Sequence, residues 1–91
     1  MSDAPALLLV VALAAASSVP IEAVLRDHVG ADALRPAGDA GFIICADAGA
    51  SSVRDWLARG GLRQDAFVVE FERWSALGDG VDAAWLLRRG H

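Results

Sequence analysis

The tetrapeptide Ala16-Ser17-Ser18-Val19 returns as Ala50-Ser51-Ser52-Val53. In both places it stands between an apolar run and a segment with helical spacing. A short chain that twice runs strand, small-residue turn, helix and glycine stop is restricted to folds made of two β-α-β units. The first unit covers about 6–35 and the second about 41–74. Their opening strands, Leu7 to Leu13 and Phe42 to Ala46, are apolar without alternation, so each must be covered on both faces.

In the first unit Ser17 or Ser18 offers a capping hydroxyl, and Pro20 fits a first helical turn where its missing N–H costs nothing. Ile21, Val24, Leu25 and Val29 recur at helical spacing, with Glu22 and Arg26 paired on the wet side. Gly30 ends the helix. Ala31 to Arg35 reads as a short edge strand, and Pro36 to Gly41 as a turn. In the second unit Ser52 and Asp55 read as a capping box. Val53, Trp56 and Leu57 form the expected buried stripe, Asp55 pairs with Arg59, and Gly60-Gly61 stops the helix.

The fourth strand, Ala66 to Trp74, alternates. Phe67, Val69 and Phe71 share one face; Val68, Glu70, Glu72 and Trp74 share the other. After Gly78-Asp79-Gly80, a helix over about 80–89 is predicted, capped by Asp79 and ending on Arg88 and Arg89. An Asp-Gly hairpin into a fifth strand is the alternative. Together these readings predict one α+β domain over 1–91. The expected architecture is a ferredoxin-like βαββαβ sandwich with an antiparallel sheet of order 4-1-3-2 and a C-terminal helix. Doubly apolar strands belong at the centre of such a sheet, and short or alternating ones at its edges.

The two main helices cover one sheet face, and Phe67, Val69 and Phe71 are expected to point at them. Val68, Glu70, Glu72 and Trp74 then face the open side. An apolar sheet of this size is not left in water, so either the C-terminal helix or a second subunit covers it. Alanine supplies 19 of the hydrophobic residues, which thins the core and favours a homodimer.

In element order and strand character, over most of its length, the chain resembles the dimeric α+β barrel proteins. These include the antibiotic-biosynthesis monooxygenases, the muconolactone isomerases and the YCII-like proteins. The resemblance implies two sheets meeting face to face around a cavity, and cofactor-independent isomerisation or oxygenation. No catalytic His–Asp pair of those families maps onto this sequence.

Glu70 and Glu72 are the candidate general bases, because a carboxylate set in an apolar surface holds its proton more tightly than one in water. The plainer reading of both is an edge strand kept soluble by acids. His28, on the last turn of the first helix, is a candidate proton carrier or a boundary residue favourable to the helix dipole. Cys45, Val68 and Trp74 are the candidate ligand contacts on the open face. His91 is expected to be mobile. The loop Asp47 to Ser52 lacks the glycine spacing of a phosphate-binding fingerprint.

No motif calls for a metal or cofactor, and a lone cysteine rules out an intramolecular disulfide. Net charge is −4, with acids and arginines interspersed, so nucleic acid is not an expected partner. The apolar stretch from Ala4 to Val19 is shorter than the roughly 20 residues a spanning helix needs. It follows Ser2-Asp3 rather than a basic leader, so a cytoplasmic, membrane-free protein is expected. Two function classes remain. One is a homodimer holding a small, largely apolar molecule between its sheets, with or without catalysis. The other is a non-enzymatic regulatory or interaction module, either an ACT-like sensor or an adaptor. Mid-strand between Ile44 and Ala46, Cys45 reads as a small buried hydrophobe rather than a reactive thiol. A thiol reagent should therefore label the native protein slowly and the denatured protein fully; rapid native labelling would show a reactive thiol.

Overall fold

A computed structural model describes residues 5–13, 19–62 and 65–91. The order is β1 (Ala6–Ala12), α1 (Val19–Val29), a 3₁₀ turn (Ala31–Ala33), β2 (Leu34–Ala37), β3 (Gly41–Ala46), α2 (Ala50–Arg59), β4 (Ala66–Phe71) and α3 (Ala83–Arg88). The four strands form one sheet of order β2-β3-β1-β4, antiparallel at every pairing. This is the expected order, with the doubly apolar strands in the middle. The first copy of the repeat up to Ser18, with its candidate cap residues Ser17 and Ser18, lies outside the described residues, and its last residue, Val19, opens α1.

Central position explains why β1 and β3 are apolar throughout. Leu8, Val10, Phe42 and Ile44 pack under α1 and α2 with Ile21, Leu25, Val53 and Leu57. Leu7, Ile43 and Cys45 face the other way, against Trp85 and Leu86 of α3. Every residue of β3 is buried. Burying a side chain such as Leu86 or Ile44 completely stabilises the fold by roughly 1.5–3 kcal/mol.

Several local expectations are corrected. The second strand begins at Leu34, after the 3₁₀ turn, and takes in Pro36, which an edge strand tolerates. The helix α2 starts at Ala50 with Gly49 as its N-cap, so Ser52 lies inside the helix and forms no capping box. Asp55 pairs with Arg54 at 3.1 Å rather than with Arg59, whereas the Glu22–Arg26 pair forms as expected. The cap of α3 is Asp82, whose Oδ1 accepts the Trp85 N–H at 3.1 Å, and not Asp79. The physical reason lies next to it. Val81 bridges Ala37, and the Gly38 N–H donates to the Gly80 carbonyl at 2.9 Å. Those contacts hold residues 80 and 81 against the end of β2, so the helix can begin only beyond them.

Helices α1 and α2 approach closely at Gly60. A Cβ there would stand 2.5 Å from Val24 Cγ2, a β-branched side chain with little freedom to retreat. Gly60→Ala should therefore destabilise the protein by about 1–3 kcal/mol. A second substitution, Val24→Ala, should weaken that effect in a double-mutant cycle read by chemical denaturation. Strictly additive losses would remove the close contact from the account.

Candidate functional site: an apolar groove on the second sheet face

Helix α3 covers only part of the second sheet face. Trp85 and Leu86 seat on Leu7, Ile43 and Cys45, and Trp85 is 3% exposed. The Trp85 indole N–H donates to the Asp32 carbonyl at 3.0 Å. The Arg35 and Arg89 guanidinium groups lie 5.2 and 5.5 Å from its ring centre. Cation–π attraction and the indole hydrogen bond thus lock the helix against the 3₁₀ turn and β2.

Beside α3 the sheet is open. A groove of about 410 Å³ runs between the helix and the chain entering it, with Leu9, Val11, Ile43 and Phe71 as its floor. Trp74, Ser75, Val81 and Leu86 are among the residues that wall it. The Trp74 indole N–H donates to the His91 carbonyl at 3.3 Å, which fixes that wall. Phe67, paired with Val11 in the sheet register and 57% exposed, prolongs the apolar surface along β4. The Ser75 hydroxyl is the one hydrogen-bonding side-chain group in the lining other than the Trp74 indole, so the groove offers apolar contact and little acid–base chemistry.

Within β4 the expected facing is reversed, whereas Trp74, beyond the strand's end at Phe71, lies on the open side as expected. Ala66 and Val68 pack on the α1–α2 side, while Phe71 and Trp74 pack with Leu9 on the α3 side. Val68 therefore belongs to the helix-side core and is not a groove residue. Glu70 also lies on the helix side, where its Oε1 accepts the Ala50 N–H at 2.8 Å. The open N-terminus of α2 explains this placement. Its first amides lack helical partners and carry the positive end of the dipole, so a nearby carboxylate is drawn to them. Alternation separates two faces but does not say which one meets the helices.

Glu72 is exposed just beyond β4. It lines a shallow cleft of about 780 Å³ with Glu70, Arg73 and His91 at the outer ends of β1 and β4. His91 has contacts in the structure: its N–H donates to the Leu86 carbonyl at 3.0 Å, and its Nε2 lies 3.9 Å from Cys45 Sγ. Cys45 is 5% exposed beneath α3. His28 stacks on Trp56 with ring centres 4.2 Å apart and planes 3° from parallel, which ties α1 to α2. A small cleft of about 300 Å³ is lined by both His28 and Cys45. The six candidates are thus dispersed, and of them Trp74 alone lines the groove.

Leu9, Val11 and Val81 were not singled out by the sequence reading. The signal for the first two was present in the unbroken apolar character of β1; for Val81 there was none, because its place depends on the bridge to Ala37. Among the described residues no group of three or more His, Cys, Asp or Glu is placed to hold a metal ion, and no helix is long and apolar enough to cross a membrane. No protein-family model matches the chain, and no curated protein or solved structure matches it.

As the N-terminal partner of α2, Glu70 should matter to stability before it matters to any reaction. Glu70→Ala should cost about 1 kcal/mol in urea denaturation at neutral pH. Glu70→Gln, which keeps an acceptor oxygen but no charge, should cost less. Equal stability of all three proteins would contradict the cap.

Proposed function

We propose that this chain is a ferredoxin-like binding module. In this reading its ligand is a small, largely apolar molecule held in the groove between α3 and β4. The observation that carries the reading is the groove itself: its floor is four apolar side chains of the sheet, and its lining holds no ionisable group. A site of this kind draws on the area removed from water, with Ser75 and the backbone around Gly80 left to orient a polar end. Because α3 walls one side within the same chain, binding does not require two sheets to close on each other.

The non-enzymatic class is favoured over isomerisation or oxygenation, since neither Glu70 nor Glu72 reaches the groove. A catalytic reading would have to use the separate cleft beside Glu72 and His91. There Glu70 is already engaged with the Ala50 amide.

An apolar fluorophore such as anilinonaphthalene sulfonate tests the reading. The native protein should bind it saturably and take up energy from tryptophan. Val11→Asp, which sets a charge in the groove floor, should weaken binding by about tenfold or more while the far-ultraviolet spectrum is unchanged. Unaltered affinity in that variant, or no binding by the folded wild type, would remove the groove as a ligand site.

A further inference from the structure

The two faces of the sheet are packed as separate cores. The cluster under α1 and α2 and the cluster around Trp85 share no buried residue, because alternate side chains of β1 and β3 point to opposite faces. Val29, at the end of α1, borders both. Helix α3 is six residues long, and only Trp85 and Leu86 of it are buried. A short set of polar contacts completes its seat. The Trp85 indole N–H and Arg89 Nη1 both donate to the Asp32 carbonyl, at 3.0 and 3.1 Å. The Asp82 carboxylate accepts the Trp85 N–H at 3.1 Å and stands 3.6 Å from Arg35 Nε. The Trp74 indole N–H reaches the His91 carbonyl. None of these bonds belongs to the sheet, whose strands are paired with one another.

We infer that α3 is a gate on the groove: it lifts off the sheet as a unit, turning about Asp82, while the sheet and the α1–α2 core stay folded.

Val81 stays behind, held by its bridge to Ala37 and by the Gly38–Gly80 bond beside it. The first residue free to turn is therefore Asp82, whose backbone lies outside the helical range at φ −80° and ψ 83°. Lifting breaks the polar contacts of the seat and bares Leu7, Ile43 and Cys45, which α3 otherwise covers. A segment with few buried side chains and few bonds to the rest of a fold opens at lower free energy than the whole protein unfolds. The open state also loses Leu86 as a wall of the groove, and Trp74 loses the bond that fixes it. An apolar ligand removes less area from water when α3 is up, so it binds the seated state more tightly and holds the gate shut. That coupling rests on the groove reading; the opening itself does not. Cys45 reports the opening, since it is 5% exposed with α3 in place.

The rate at which a thiol reagent labels Cys45 in the full chain, measured in urea below the unfolding transition, tests the inference. It should rise with urea far less steeply than global unfolding does, because lifting α3 exposes less surface. Asp82→Ala removes the cap at the pivot and should speed labelling about five- to tenfold. Asp82→Asn keeps an acceptor oxygen and should stay near the wild-type rate. Anilinonaphthalene sulfonate at about ten times its dissociation constant should slow labelling about tenfold. A urea slope equal to the global one, or an Asp82→Ala rate like that of the wild type, would overturn the gate. A fluorophore that takes up tryptophan energy yet leaves the rate unchanged would overturn the coupling while the groove stands as a ligand site. A fluorophore that does not bind removes the groove and the coupling together, and the urea slope and the Asp82 variants still decide the gate.

Discussion

In the middle of the sheet, β1 is bonded to β3 on one side and to β4 on the other, while both of its faces carry apolar side chains. The backbone groups are satisfied within the sheet, but the side chains are satisfied only if something lies above and below them. Helices α1 and α2 supply one cover. The second must come from a six-residue helix, α3, which is too short to span the whole face. Both the groove and the docking of the C-terminal turn follow from that mismatch between an apolar face and a small cover.

The contacts that seat α3 are correspondingly concentrated. Trp85 is buried and its indole N–H is satisfied by Asp32, while Arg35 and Arg89 flank the ring. Asp82 fixes the start of the helix, and the contacts of Gly80 and Val81 with the end of β2 fix the approach. Trp74 joins the same assembly through the His91 carbonyl. The groove wall, the last helix and the last residue therefore form one packed unit laid on β1 and β3. A ligand in the groove would touch this unit as well as the sheet.

Carboxylates that look catalytic in a sequence can be structural for electrostatic reasons. Glu70 sits in an alternating strand among valines and phenylalanines, a pattern that suggests a base on an apolar surface. The structure spends it on the Ala50 amide. His28 likewise stacks on Trp56 and joins two helices. In both cases the partner comes from a different element, and one-dimensional spacing does not contain it.

Periodicity and punctuation were sufficient for the four strands, the three α-helices and their order, but not for the 3₁₀ turn over Ala31–Ala33, where a strand was expected. Unbroken apolar runs marked β1 and β3 as central, alternation marked β4 as an edge, and Gly30, which takes a positive φ of 82°, and Gly60 marked the helix ends. These are local or statistical consequences of covering two faces or one, so the sequence alone determined them. Which face of β4 meets the helices, which residue caps α2 and α3, and how much of the sheet α3 covers were decided by tertiary structure. Each depends on where another element's unpaired amides, aromatic ring or loop arrives in space. The groove belongs to this second group, because it exists only as the space left between α3, the 74–81 segment and the sheet.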